Sequence, residues 1–339
     1  MTVATATAGG WRETGGVRIV VLGAGAVGGL IGGRLAGAGH DVTLVARGQH
    51  LRAMQRRGLT LRSPDGAATV PVRAVGSPAE ADLADGDVVV LAVKSQDTGE
   101  AVAALARVAP PGVAVVCAQN GVANERVALR AFPRVYGMVV MLPATHLEPG
   151  TVEAWCSPVT GLLDLGRFPA GVDATAEALA GALRGATFRA EARPDIMRWK
   201  YRKLLLNLAN AVEAVAAADG GHDALVARAV AEGEAVLRAA GIDCASAEED
   251  AARRRELPRI RPIAGRRRQG GSSWQSLARG LGSIETDYLN GEIVLLGRLH
   301  GVPTPTNELL QRLARQVATE RRPPGSVPSG EILARLDGS

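Results

Sequence analysis

Lysine is nearly missing from this chain. Of its 39 basic residues only three are lysine, Lys94, Lys200 and Lys203, and the other 36 (39 minus 3) are arginine. An arginine replaces a lysine on a solvated surface at little cost, but its guanidinium keeps its proton near neutral pH. Burial and neighbouring charges can instead tune a lysine into an acid or a base. Each surviving lysine is therefore a candidate for chemistry, with a general bias toward arginine as the plain alternative. Aromatic residues are also scarce, at 3%, and none interleave with the scattered arginines. A base-stacking surface for nucleic acid is not expected, and a small anionic ligand suits the formal charge of +5 better. The cysteines Cys117, Cys156 and Cys244 are odd in number and lack metal-ligand spacing, so free thiols in a reducing, cytoplasmic setting are expected, with no metal site. No apolar run approaches membrane-spanning length, and residues 1–16, rich in Ala, Thr and Gly, read as a flexible tail without a signal-peptide core.

What is present is ample material for two cores. A chain of 339 residues exceeds the size at which one core usually stops growing. Apolar β-branched runs at residues 17–22, 41–46, 70–75, 87–93, 113–118, 134–141 and 187–193 alternate with helical patterns over the first half. The run at 87–93 is so uniformly apolar that both of its faces must be covered, as in a parallel sheet. Helical periodicity dominates from residue 194 onward. The expected architecture is α/β, with a Rossmann-like dinucleotide-binding domain over 17–193, an all-α domain over 194–320 and a tail with one short helix over 321–339.

Gly23-Ala24-Gly25-Ala26-Val27-Gly28 lies between the first strand and an Ala-rich helix. Gly23 permits a tight turn, Gly25 lets backbone approach a pyrophosphate, and Gly28 lets helix and strand pack closely. At the end of the second strand, where an acid would select NAD, stands Arg47, which suits the 2′-phosphate of NADP or is a plain surface residue. Lys94 and Asn120 follow the strands at 87–93 and 113–118, at the edge where open sheets bind ligands, although Asn120-Gly121 also reads as a turn. Lys203, Asn207 and Asn210 fall on nearly one face of an apolar helix expected over 204–217, and Lys200 could share that face. Spacing does not choose between the two lysines. Ser272 and Ser273 precede a helix expected to carry Glu285, Asp287 and Asn290; either serine reads equally as an N-cap, and Glu285 as an exposed acid.

Taken in order, Gly-Ala-Gly-Ala-Val-Gly-Gly, Ala-Val-Lys94-Ser-Gln, Gln-Asn120-Gly-Val, Lys203-x-x-x-Asn207, Ser272-Ser273 and Ile-Glu285-x-Asp-Tyr-Leu-Asn290-Gly resemble the ketopantoate reductase family over residues 17–310. The resemblance implies NADPH-dependent reduction of a 2-keto acid in a cleft between the domains. It implies Lys203 as general acid, Glu285 orienting a substrate hydroxyl, Asn120 beside the nicotinamide, Asn207 and Ser273 on the substrate, and Arg47 and Lys94 around the adenosine end. A homodimer is compatible with the sequence. Two departures fall in the implied cleft: Ala211 stands where well-known members carry a second asparagine, and Trp274-Gln275-Ser276-Leu277 replaces a Met and a nearby Asp. The arginine-rich stretch 253–268 reads as a solvated loop or as a source of anion affinity.

Overall fold

A computed structural model describes residues 17–338 apart from Glu256, Pro258 and Leu281; the expected tail over residues 1–16 lies outside them. Seven short strands form the main sheet: β1 (Ile19–Leu22), β2 (Val42–Val45), β3 (Arg73–Val75), β4 (Val88–Leu91), β5 (Ala114–Cys117), β6 (Val135–Met138) and β7 (Leu165–Arg167). Every residue of β1, β2, β4, β5 and β6 is buried, and the pleat divides them between two cores. Ile19, Val21, Leu44, Val88, Val90 and Val116 pack with Leu30, Ile31 and Leu35 of helix Ala26–Gly37. Their neighbours Val20, Leu22, Val45, Val89, Leu91 and Val115 pack with Val102 and Leu105 of helix Thr98–Ala106 on the opposite face. The spatial order is β3-β2-β1-β4-β5-β6-β7, parallel except for β7, which runs antiparallel to β6. Successive strands are thus added outward in opposite directions on either side of the β1–β4 pair, a switch point that opens a crevice beyond their carboxyl ends.

The structure corrects the expected strand over 70–75. Pro71, which has no N–H to donate, separates β3 from strand Gly66–Val70, and that strand pairs with Leu59–Ser63 as a hairpin in a second, four-stranded sheet with Thr151–Ala154 and Ala144–Thr145. The run at 187–193 is a strand only at Phe188–Arg189, paired with Gly161–Leu162.

Helices enclose a separate apolar cluster after residue 195, with Leu204, Leu208, Val212, Val236, Leu310, Leu313 and Val317 at its centre. The expected continuous helix over 204–217 is instead two, Ile196–Asn207 and Ala209–Val215; at the break the Leu208 carbonyl accepts from the Asn290 side chain, 3.4 Å away. Residues after 320 are not a loose tail. Val327 pairs with Ala216, Ile332 is fully buried, and the Ser329 N–H donates to Asp219 at 2.9 Å, so helix Ser329–Asp337 closes the helical core.

Candidate active site

Gly23 turns the chain after β1 at φ +104°, a conformation that residues with a side chain rarely adopt. A Cβ on Gly28 would lie 2.1 Å from the Gly23 carbonyl oxygen, so only glycine lets the helix sit this close to the sheet. Gly25 differs: a Cβ there would meet nothing within 4 Å, and the helix it precedes has neither a capping side chain nor an acid in its first turn. Ala26 and Val27 begin that helix, and its free N–H groups and dipole favour an anion. Arg47 is 85% exposed beyond β2, with Glu100 at 3.6 Å as its ion-pair partner.

Sequence reasoning missed the residue that holds this turn in place. His50 Nε2 donates to the Ala24 carbonyl at 2.8 Å while its Nδ1 accepts from the Gly150 N–H at 2.8 Å. Accepting at Nδ1 requires a neutral imidazole, and burial, with the His146 ring centroid 4.1 Å away, holds the His50 pKa down to about 4.

Lys94 leaves the end of β4, but its ammonium meets Glu285 Oε2 at 2.7 Å and Ser276 Oγ at 3.3 Å. The Ser95 N–H donates to the other Glu285 oxygen at 3.0 Å. In this structure, therefore, the partner of Lys94 is the carboxylate opposite it, where the resemblance implied the adenosine end. Glu285 is not an exposed helix acid: it is 7% exposed and opens the short 3-10 turn Glu285–Tyr288. The Ser95 hydroxyl and the Asn124 amide both donate to the Asn120 backbone carbonyl, and the Asn120 side-chain Oδ1 is buried without a hydrogen-bond partner among the described residues. Ser272 is the first residue of helix Ser272–Ala278, with Gly271 as N-cap, and its carbonyl accepts from Ser276. Ser273 is buried beside it. Asn210 begins the second helical segment, and its Oδ1 lies 3.3 Å from where a Gly271 side chain would start.

Helix Ile196–Asn207 separates the two lysines that spacing could not rank. Lys200 is 3% exposed and donates to the fully buried Glu125 and, at 3.0 Å, to the Gln119 carbonyl. Gly137 on β6 makes room for this pair, since a Cβ there would lie 3.2 Å from the Lys200 Cδ. Lys203 is half-buried, forms no ion pair among the described residues and donates to Asn207 Oδ1 at 2.8 Å. Burial, then Arg254 and Arg268, push its pKa down against the pull of Asp250, to about 8. Because the Asn207 oxygen faces the ammonium, its amide nitrogen points away, buried and without a partner among the described residues.

Residues 19–166 match the family model described as ketopantoate reductase PanE/ApbA, and residues 195–318 match that of its C-terminal part. The chain belongs to the ketopantoate reductase family. It is 32% identical to the 2-dehydropantoate 2-reductase of Halobacterium salinarum, over 88% of this chain and 98% of that one. The corresponding protein of Archaeoglobus fulgidus is 33% identical over 88% and 97%. Among solved structures, a PanE/ApbA family ketopantoate reductase from Ralstonia eutropha superposes with a TM-score of 0.77 at 31% identity, covering 90% of this chain and 100% of that one. A D-mandelate dehydrogenase solved with NADH and anilino(oxo)acetate shares the fold, with a TM-score of 0.78 at 23% identity over 90% and 99%.

Within this family the chain's departures have definite surroundings. Ala211 is 2% exposed and belongs to the apolar core of the helical half. Trp274 covers Gly270, where a Cβ would lie 2.4 Å from the indole Cγ. The arginine-rich stretch is largely exposed, yet it is anchored: the buried Arg253 meets Asp164 at 2.7 and 2.9 Å, Arg261 meets Asp65 at 2.9 Å, and Arg266 pairs with Glu153. Those carboxylates all lie on the sheet-bearing half, so the stretch is drawn across it by charge.

Proposed function

We propose that this oxidoreductase reduces ketopantoate to pantoate with NADPH, as a cytoplasmic step in pantothenate biosynthesis. The observation that carries the reading is Lys203: an ammonium without an anionic partner among the described residues, oriented by Asn207, with a pKa of about 8. Such a group is mostly protonated at pH 7 yet acidic enough to give up its proton, as a general acid must.

The sheet edge fits a dinucleotide. Open backbone at Gly25 suits a pyrophosphate, and the exposed Arg47 guanidinium suits a 2′-phosphate. Bound there, the reduced nicotinamide would supply the hydride. As negative charge develops on the keto oxygen, the Lys203 ammonium stabilises it and passes a proton from Nζ. Asn120 Oδ1 and Asn207 Nδ2, both buried and without partners among the described residues, remain for the nicotinamide amide and the substrate. Glu285, held by Lys94 and Ser95, accepts a substrate hydroxyl, and Ser272, Ser273 and Asn210 complete the polar wall. Relatives named 2-dehydropantoate 2-reductase support ketopantoate as the acid. A second reading, the same chemistry on another branched 2-keto acid, is favoured by Ala211, which offers no amide where other members have one, and by Trp274.

The test is NADPH oxidation by the purified protein with ketopantoate, beside other branched 2-keto acids and an NADH control. Turnover with ketopantoate and NADPH is expected. Turnover with another acid alone would move the assignment to the second reading, and turnover with none would refute the reaction.

A further inference from the structure

We propose that His50 is a positioning residue for the cofactor: its imidazole holds the Ala24 carbonyl so that the Gly25 N–H is aimed at the dinucleotide's pyrophosphate. The inference rests on the reading of the turn from Gly23 to Gly28 as the dinucleotide site, and adds to it a residue outside the turn. His50 is the third residue of helix Gly48–Arg57, whose N-cap is Arg47. Its two ring nitrogens have opposite duties, and their partners settle which is which. The Gly150 N–H, 2.8 Å from Nδ1, can only donate, so Nδ1 accepts and the ring proton sits on Nε2. The Ala24 carbonyl, 2.8 Å from Nε2, can only accept, and it takes that proton. The support behind the ring is fixed as well. The Gly150 carbonyl accepts from the Thr60 N–H at 2.9 Å, and a Cβ on Gly150 would lie 2.9 Å from that of Ala53, one turn beyond His50. The His146 ring, 4.1 Å from that of His50, donates from its own Nδ1 to the Thr151 carbonyl at 3.0 Å.

The planarity of the peptide turns this contact into a constraint on the cofactor site. The Ala24 carbonyl and the Gly25 N–H belong to one trans unit and point in opposite directions, so holding the first sets the second. Ala24 is 2% exposed, and its N–H donates to the Val45 carbonyl at 3.1 Å. Its oxygen lies where a Cβ on Gly29 would come within 2.7 Å, so the carbonyl is closed in between helix Ala26–Gly37 and His50. Gly25 itself has open space, with nothing within 4 Å of where a side chain would start. A turn rich in glycine has many conformations to give up when a ligand binds, and one already held loses fewer. Without His50 the buried Ala24 carbonyl would lack its donor, and any turn it made to find another would carry the Gly25 N–H with it. Because His50 stands on the helix that Arg47 caps, the same ring ties the pyrophosphate end of the site to the end proposed for the 2′-phosphate.

The experiment measures calorimetric NADPH affinity, steady-state kinetics and thermal unfolding in two variants that each keep one of the two contacts. The amide of asparagine reaches the Nδ1 position and can accept from Gly150 alone; the amide nitrogen of glutamine reaches the Nε2 position and can donate to Ala24. His50→Asn is expected to weaken NADPH about tenfold and to raise its KM alike, while kcat at saturating NADPH falls less than about threefold, because a buried carbonyl of the cofactor turn has lost its donor. His50→Gln is expected to hold NADPH within about threefold of wild type, although its unfolding midpoint falls about as far as that of His50→Asn. NMR of the imidazole nitrogens, which needs no variant, should show His50 in the wild type as the Nε2–H tautomer, its proton exchanging more slowly once NADPH is bound. Equal weakening of NADPH in the two variants, no weakening in His50→Asn, or the Nδ1–H tautomer in the wild type would overturn the proposal. A wild-type protein that binds NADPH in this way but reduces no 2-keto acid would refute the reaction and leave the role of His50 standing.

Discussion

Lys200 and Lys203 lie one helical turn apart on helix Ile196–Asn207, yet their surroundings differ in the one respect that decides what a lysine does. Lys200 is buried against a buried carboxylate, Glu125, and against the Gln119 carbonyl at the end of β5. Lys203 has a neutral amide for a partner and two arginines acting on it. The Lys200 ammonium is paired with a carboxylate, and the pair joins the helical half to the sheet. An ammonium facing Asn207 and positive charge is poised to lose its proton. Burial is the first cause of the lowered Lys203 pKa and the two arginines add to it, whereas the more deeply buried Lys200 has a carboxylate beside it.

The strongest way to break this contrast is to remove each amine. Lys203→Ala is expected to lower kcat by about 10²- to 10⁴-fold, the usual contribution of a positioned general acid, while NADPH affinity stays near the wild-type value. Lys200→Met should leave a folded fraction with substantial turnover. Steady-state kinetics with titration of bound NADPH on both variants checks this; the reverse outcome, with Lys200→Met inert and Lys203→Ala active, would exchange the two roles.

Stability sharpens the same contrast from the other side. Removing Lys200 leaves Glu125 as an uncompensated buried charge, which costs about 3–5 kcal/mol. Lys200→Met is therefore expected to lower the midpoint of denaturant unfolding far more than Lys203→Ala, which removes a half-buried amine with a depressed pKa. The double variant Lys200→Met with Glu125→Gln should recover much of the loss, since no charge is then stranded. Equal losses for the two single variants would mean that the Lys200–Glu125 pair does not join the halves as described.

How much of this was legible in the residues follows the range of the interactions. Gly23, Gly25 and Gly28 act over six residues of chain, and Lys203 and Asn207 meet at the i, i+4 spacing of one helix, so both were visible as spacing. The hairpin Leu59–Ser63 with Gly66–Val70 had a local signal in Pro64-Asp65-Gly66, but its sheet is completed by Thr151–Ala154, and no pattern in either segment announces that pairing. Glu125 and His50 were invisible for the same reason: their partners Lys200 and Gly150 lie 75 and 100 residues away. The arginine-rich stretch is largely exposed, as a run of one charge suggests, but its pairing with Asp65, Glu153 and Asp164 forms only once the chain has folded and had no local signal. The contact between Leu208 and Asn290 spans 82 residues and so lay beyond any local periodicity.

The smallest of the expected effects is also the one that speaks most directly to the lysine's protonation. With the Lys203 pKa at about 8, below the ordinary lysine value of 10.5, the acid form required for reduction is lost as pH rises through 8. Above that point kcat/KM for the keto acid should fall tenfold per pH unit, because one proton is required. Oxidation of the hydroxy acid needs the neutral amine, so its rate should rise toward pH 8 and level off beyond it. The two directions must share one pKa if one group serves both. The alkaline limb should persist unchanged in the folded fraction of Lys200→Met, since the charges acting on Lys203 are Arg254, Asp250 and Arg268, with neither Lys200 nor Glu125 among them. A limb that moved to pH 10 or above, or that vanished with Lys200, would assign the transferred proton to a different group.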